Sequence, residues 1–185
     1  QMCIRDRYTF DKIIESWKDF DRCLTFHGIT YNRKFYNRYR YELPEKIFYE
    51  DQEYAAIPCC HASSIYPLNL YIYQYLIGNS EQSVSAENRL KRLSHIERVT
   101  KDLLEYGKGS EGLAESGKEY LFRKTEGVIL SHYVVTCIIQ KDRRQGRKNA
   151  AQYNQMILEA APSVYKRIEK KYKAYYLSLI HISEP

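Results

Sequence analysis

The sequence predicts an α/β fold followed by an all-α tail of about four helices. In the first half, apolar and polar residues alternate over 68–73, and a β-rich run covers 24–30, which indicates strands. In the second half, apolar residues recur at helical spacing from residue 86 onwards. We therefore divide the chain into an α/β portion, residues 8–106, and a helical C-terminal extension, residues 107–176.

Short helices are expected in the first half. The apolar residues of 11–20 recur at helical spacing. Residues 31–39 alternate aromatic and basic side chains, which suits a short amphipathic helix, and residues 50–57 read as a helix that ends at Pro58. The run 24–30 is expected to be a strand that turns at Gly28.

Longer helices are expected in the second half. Ser85 fits the N-cap of a helix starting near Ala86, and an apolar stripe runs along that helix. The elements expected after it are a linker over 107–112, helices over 114–141, 149–159 and 162–176, and a solvated basic loop over 143–148.

Both ends of the chain resemble translated adapter sequence. Residues 1–7 and 177–185 can be encoded by one DNA element in opposite orientations, and that element resembles the transposon adapter used in making sequencing libraries. We interpret these ends as adapter-like scars on a short metagenomic insert and exclude them from fold reasoning. The authentic segment is then about residues 8–176.

Composition narrows the class of protein without selecting a ligand. An aromatic fraction of 14%, with 19 Tyr, is too high for a disordered chain. The net charge of +6 fits phosphate-bearing ligands, an anionic membrane surface and nucleic acid alike. No run approaches the ~18 apolar residues of a membrane span. Outside the ends, Cys23, Cys59, Cys60 and Cys137 form no CxxC pair and favour buried free thiols in a reducing compartment.

The segment Ile47–Tyr54 is the candidate site, because it holds three carboxylates within four positions between aromatic residues. Acids at a loop-to-helix junction with aromatic walls suit a catalytic carboxylate or a sugar platform. They equally suit an ordinary helix start, where acids favour the positive end of the helix dipole. The residues alone favour the helix start, and Glu53 is expected on the helix surface.

Three segments come in a characteristic order. The first is Thr25-Phe-His-Gly-Ile-Thr-Tyr31, the second Leu43-Pro-Glu-Lys-Ile-Phe-Tyr-Glu-Asp51, and the third runs from Leu70-Tyr-Ile-Tyr-Gln to Gln82-Ser-Val-Ser85. This order resembles the second half of bacterial family-2 glycosyltransferases with a GT-A fold. The resemblance covers about residues 24–104. It implies the C-terminal, acceptor-side part of a GT-A (Rossmann-like) domain.

The resemblance also implies a reaction and its residues. The reaction would be inverting transfer of a sugar from a nucleotide-sugar donor, UDP-linked, to a glycan or lipid-linked acceptor in cell-surface polysaccharide synthesis. Asp51 is expected to be the base that takes the acceptor proton, and Glu50 to orient the acceptor or anchor the loop. His27 could contact donor or acceptor, or be a satisfied core histidine. Gln82 and Ser83 could donate hydrogen bonds to phosphate.

The resemblance further implies a divalent metal, Mg or Mn, that stabilises the leaving diphosphate. The Asp-x-Asp that holds this metal belongs to a nucleotide-binding half that would precede Tyr8. No metal ligand is therefore expected in this chain, and the fragment is expected to be inactive alone. The expected location is the cytoplasm, including the inner face of the cell membrane.

A non-catalytic module is the alternative. Aromatic and basic side chains interleave over 33–40 and over 166–173, a pattern that can bind an anionic polymer such as single-stranded nucleic acid. The basic, aromatic last helix could also rest on a membrane surface. No established nucleic-acid motif accompanies either patch, so nucleic acid is not the expected partner.

Overall fold

The fold is mostly helical, with 67% helix. A computed structural model describes residues 7–71, 73–74 and 86–181. The helices are α1 Phe10–Glu15, α2 Trp17–Phe20, α3 Arg33–Arg38, α4 Asp51–Ala56, α5 Ala86–Lys91, α6 Leu93–Lys108, α7 Glu115–Tyr133, α8 Arg143–Ala160 and α9 Pro162–His181. A 3-10 turn covers Cys59–His61, and a π-helical segment, Val134–Ile139, continues α7.

The prediction of an α/β, Rossmann-like GT-A domain is wrong. Within the described ranges the single sheet has two strands, β1 Tyr8–Thr9 and β2 Ser64–Ile65, which pair antiparallel. The alternating segment 68–73 forms no strand at any described position, and Leu68 and Leu70 are more than 60% exposed. Alternation predicts a strand only where a neighbouring strand pairs with it, and no strand of the described residues pairs with this segment.

The run 24–30 is not a strand: residues 24–25 are bends, residues 26–28 form a turn, and residues 29–30 have no regular structure. The backbone N–H groups of Gly28 and Ile29 both donate to the carbonyl of Thr25, at 2.9 and 3.0 Å. A β-carbon at Gly28 would clash with the carbonyl oxygen of Cys23. Local hydrogen bonds and this close approach therefore replace the strand pairing that the β-rich composition predicts.

Residues 143–148, predicted to be a solvated basic loop, form the first turns of α8. The Asp142 side chain accepts a hydrogen bond from the backbone N–H of Gln145 at 3.0 Å and caps the helix. An aspartate in this position is a strong N-cap, so the helix begins before the basic run instead of after it.

Two clusters of buried side chains form the core, and α7 contributes to both. The first cluster joins α1, α4, α6 and α7 around Phe10, Ile13, Val99 and Tyr120. The second joins α6 to α9 and contains Leu104, Ile129, Tyr133, Tyr153, Ile157 and Ile168. The buried Tyr120 hydroxyl donates to the carbonyl of Ala55 at 2.9 Å. Helix α7 therefore fixes the position of α4, the helix that begins at Asp51.

Candidate active site

The loop that precedes α4 has an unusual backbone. Lys46 and Tyr49 have positive φ angles of 59° and 72°, which side chains other than glycine seldom adopt. Such residues cost free energy and persist only where surrounding contacts fix them, and they concentrate at functional sites. The strained loop is thus the first structural indication of a site at this position.

Contacts with α6 and the residue before it hold this loop in place. The backbone N–H of Phe48 donates to Nδ1 of His95 at 3.1 Å. The Arg92 guanidinium lies 3.5 Å above the centre of the Phe48 ring, a close cation–π contact. One terminal nitrogen of Arg92 is buried and has no hydrogen-bond partner in the described part of the chain.

Asp51 is the first residue of α4 and is partly buried. Burial raises the pKa of its carboxyl group, and the neighbouring charge of Glu50 raises it further. Hydrogen bonds from Gln52 and the proximity of His27 act in the opposite direction but do not cancel the rise in pKa. Desolvation therefore decides the acidity of Asp51 and makes it a stronger base than an exposed aspartate.

His27 lies near enough to Asp51 to act on the pKa of its carboxyl group, although the two residues are 24 positions apart. Its ring contacts those of Phe26 and Tyr73, with centroid distances of 3.6 and 4.0 Å. The side chain is only partly buried, so His27 is not a residue of the core clusters. The aromatic contacts orient its imidazole at the surface, near enough to influence the pKa of Asp51.

Lys124 reaches the same region from α7. Its ammonium donates to the carbonyl of Leu24, at the start of the turn that contains His27. Burial lowers the pKa of Lys124, and the charges of Asp21 and Asp51 oppose that shift. The Lys124 ammonium therefore contacts the start of the His27 turn and lies near enough to Asp51 for their charges to interact.

The structure brings together three of the five residues expected from the sequence: Asp51, Glu50 and His27. Gln82 and Ser83 lie outside the described residues. Sequence reasoning missed the strained Tyr49 and the basic residues Arg89, Arg92 and Lys124. Arg89 and Arg92 are three residues apart, a spacing that places two side chains on one face of a helix. No sequence signal shows that they lie near the Tyr49 loop.

The adjacent cysteines Cys59 and Cys60 are poorly suited to act as nucleophiles. Cys59, Cys60 and Cys137 are buried, as expected, whereas Cys23 is exposed. Burial raises the pKa of Cys59 to about 11 and that of Cys60 to about 12. Both thiols therefore stay protonated at neutral pH and are poor nucleophiles.

Among the described residues, no group of three or more His, Cys, Asp or Glu side chains could hold a metal ion. Within the same ranges, no helix is long and apolar enough to cross a membrane. Comparison of the chain with protein-family models, with curated proteins and with solved structures finds no match. Function must therefore be argued from the geometry of the site.

Proposed function

We propose that this chain is the acceptor-binding part of a sugar-nucleotide-dependent, inverting glycosyltransferase, with Asp51 as the base. One observation carries the proposal: a partly buried carboxyl group of raised pKa stands at a strained, pinned loop-to-helix junction, with His27 beside it. A base works best when its pKa is shifted towards the working pH. The proposal rests on this site and on the order of sequence segments.

In the proposed reaction, the oxygen of an acceptor hydroxyl attacks the anomeric carbon of the donor sugar. Its proton passes to the Asp51 carboxylate, and the bond to the nucleotide diphosphate breaks. One carboxylate suffices, because no protonated acid is needed at the leaving group; glycoside hydrolysis, in contrast, uses a separated carboxyl pair. Glu50 would orient the acceptor, while its charge keeps the pKa of Asp51 high.

The donor in this proposal is a UDP-linked sugar, and a divalent metal, Mg or Mn, would supply charge stabilisation for the leaving diphosphate. The described residues do not fit a metal site, so no step assigned here to Asp51, Glu50 or His27 depends on one. We place the enzyme in the cytoplasm, at the inner face of the membrane where the acceptor is lipid-linked.

The alternative of an anionic-polymer module is less well supported. The rings of α3 pack inward: Tyr36 contacts Tyr31 at 5.5 Å, and Tyr39 stacks on His61 at 4.2 Å. Several cations of α9 are already paired with carboxylates, as in the pairs Arg167–Glu119, Lys171–Glu126 and Lys173–Glu169. Stacking of bases needs open aromatic faces, and these rings are largely used in packing.

The decisive experiment is Asp51→Asn in the complete enzyme that contains residues 8–176. Asparagine keeps the shape of the side chain but cannot accept the acceptor proton. We expect transfer to fall by about 10²-fold or more, while binding of the nucleotide sugar is retained. The matched control is Asp19→Asn, an exposed aspartate on α2, which should leave the rate unchanged. Retained turnover in Asp51→Asn would contradict the assignment.

The same pair of variants separates the two candidate functions in the 185-residue chain. The polymer-binding alternative requires tight binding of single-stranded nucleic acid that weakens steeply with salt and is indifferent to Asp51. The glycosyltransferase proposal requires binding of acceptor saccharides, measured by ligand-observed NMR, and a change of that binding in Asp51→Asn but not in Asp19→Asn.

A further inference from the structure

Glu53, two residues after Asp51 on α4, is fully buried. Its sequence position predicted a surface residue, and the structure contradicts this. Neither carboxyl oxygen accepts a hydrogen bond from any donor in the described part of the chain. An ionised carboxylate in such a place would lose its hydration without compensation, which is strongly unfavourable.

The groups that face Glu53 come from two other elements. Asp102 of α6 lies close enough to the Glu53 carboxyl group to raise its pKa by charge and by hydrogen bonding, and Arg98 of the same helix lies nearby. Tyr41, in the loop after α3, faces this group as well, and Glu50 acts on it from the start of α4. Arg98 Nε donates to Asp102 Oδ2 at 2.7 Å. Arg98 is therefore bound to Asp102 and not to Glu53.

Two carboxyl groups can form a hydrogen bond only when one of them carries a proton. Asp102 already accepts a hydrogen bond from Arg98 in an ion pair, whereas neither oxygen of Glu53 has such a donor among the described residues. Asp102 then acts as the acceptor. Glu53, which is buried and has no donor of its own, is left as the group that keeps the proton.

We propose that Glu53 is a neutral carboxylic acid at neutral pH, that it donates its proton to Asp102, and that this carboxyl pair ties α4 to α6. This contact between α4 and α6 makes Glu53 a positioning residue for Asp51, and that role rests on the function proposed above. The shared proton itself does not depend on that function. Loss of the proton places two negative charges in contact between α4 and α6 and displaces the helix that begins with Asp51.

The proposal fixes the direction of a pH effect. Burial, followed by the charge of Asp102, raises the pKa of Glu53 from 4.5 to about 8. Between these values the unfolded chain releases the proton and the folded chain keeps it. The stabilisation is complete below pH about 4.5 and is lost progressively as the pH rises to about 8.

The test is Glu53→Gln, compared with wild type by urea unfolding between pH about 6.5 and about 8.5. Glutamine is neutral at every pH, and its amide can donate to Asp102. Wild type is expected to lose stability across this range, and Glu53→Gln to lose markedly less. The control is Glu105→Gln on α6, whose side chain is 76% exposed and pairs with Lys108; it should follow wild type. An unchanged slope in Glu53→Gln would overturn the proposal.

Infrared spectroscopy of the wild-type chain tests whether Glu53 carries its proton, and it needs no folded variant. Exposed Asp and Glu side chains are ionised at neutral pH, so a protonated carboxyl band at pH about 7 identifies a buried acid. The band should disappear as the pH rises through about 8, and its absence at neutral pH would contradict the shared proton.

The coupling to Asp51 has its own readout. The Asp51 carboxyl carbon, followed by NMR in wild type, should show a second inflection near pH 8, where Glu53 ionises. This inflection should be missing in Glu53→Gln. A wild-type titration without it would overturn the positioning role. None of these measurements needs a substrate, so failure of the proposed reaction would leave their expected results unchanged.

Discussion

Individual residues make the loop before Asp51 more rigid and more strained than its composition suggests. Tyr49 and Lys46 both have positive φ, but their side chains differ in environment: Tyr49 packs against the first core cluster, whereas Lys46 is exposed. A substitution at Lys46 therefore changes the backbone strain without removing a packed side chain. A non-glycine residue in this conformation costs about 1–2 kcal/mol relative to its right-handed form.

Replacing Lys46 with glycine should therefore stabilise the protein. Glycine adopts positive φ without steric cost, so we expect Lys46→Gly to raise the free energy of unfolding by about 0.5–1 kcal/mol, measured by urea denaturation. The matched substitution is Lys101→Gly, at an exposed position inside α6, which should lower it by about 1 kcal/mol. Equal losses in both variants would show that the loop is not strained at Lys46.

Some individual residues of the site could be predicted from the sequence, and others could not. Asp51 and Glu50 are adjacent in a segment that reads as a loop-to-helix junction, and the structure places α4 there. The approach of Lys124, from 73 residues away, has no sequence signal, because no helical period shows which loop a helix faces. The burial of Glu53 was missed for the same reason: α4 packs on α6 and α7 and has no simple solvent face.

Among the elements, α7 has the largest influence on the site because it packs against the 3-10 turn and α4. Gly117, in its first turn, makes this packing possible: a β-carbon there would clash with the carbonyl oxygen of Cys60. Gly127, on the same helix, has no neighbour within 4 Å of the position that a β-carbon would occupy. Packing therefore requires glycine at position 117 but not at position 127.

Alanine substitution distinguishes them. Gly117→Ala should destabilise the protein by about 1–3 kcal/mol, because the clash involves backbone and cannot be relieved by a side-chain rotation. Gly127→Ala should stabilise it by up to about 1 kcal/mol through helix propensity alone. Thermal and urea unfolding of the two variants would measure both effects. A stabilised Gly117→Ala would mean that α7 does not approach Cys60 this closely.

The elements also show why helices could be predicted and the sheet could not. The backbone hydrogen bonds of helix α6 lie within its own segment. Its buried apolar residues recur at helical spacing, so the local sequence is enough to predict it. A strand depends on a partner that the local pattern does not reveal. The alternation over 68–73 is real, but the described partner of β1 is Ser64–Ile65, outside the alternating run.

At the scale of the whole molecule, buried titratable groups on different elements act on stability in opposite directions. Glu53 lies in the first core region. His132 of α7 lies in the second, fully buried and stacked on Tyr153 at 3.6 Å. Burial lowers the pKa of His132 from 6.5, although the nearby Glu97 opposes this shift. Its stabilising contribution is present above pH about 6.5 and is lost as the pH falls, whereas that of Glu53 is lost as the pH rises.

These opposite signs predict how the pH profile of stability changes when Glu53 is replaced. In Glu53→Gln, stability should rise between pH about 5.5 and about 6.5, because the histidine contribution is then no longer offset by that of Glu53. Adding His132→Gln should flatten most of this rise. Adding His61→Gln should remove a smaller part, since burial also lowers the pKa of His61 but its side chain is only partly buried. Urea unfolding at each pH would measure the three profiles. A rise that persists in Glu53→Gln/His132→Gln would show that His132 is not the neutral, buried group that sets stability below pH about 6.5.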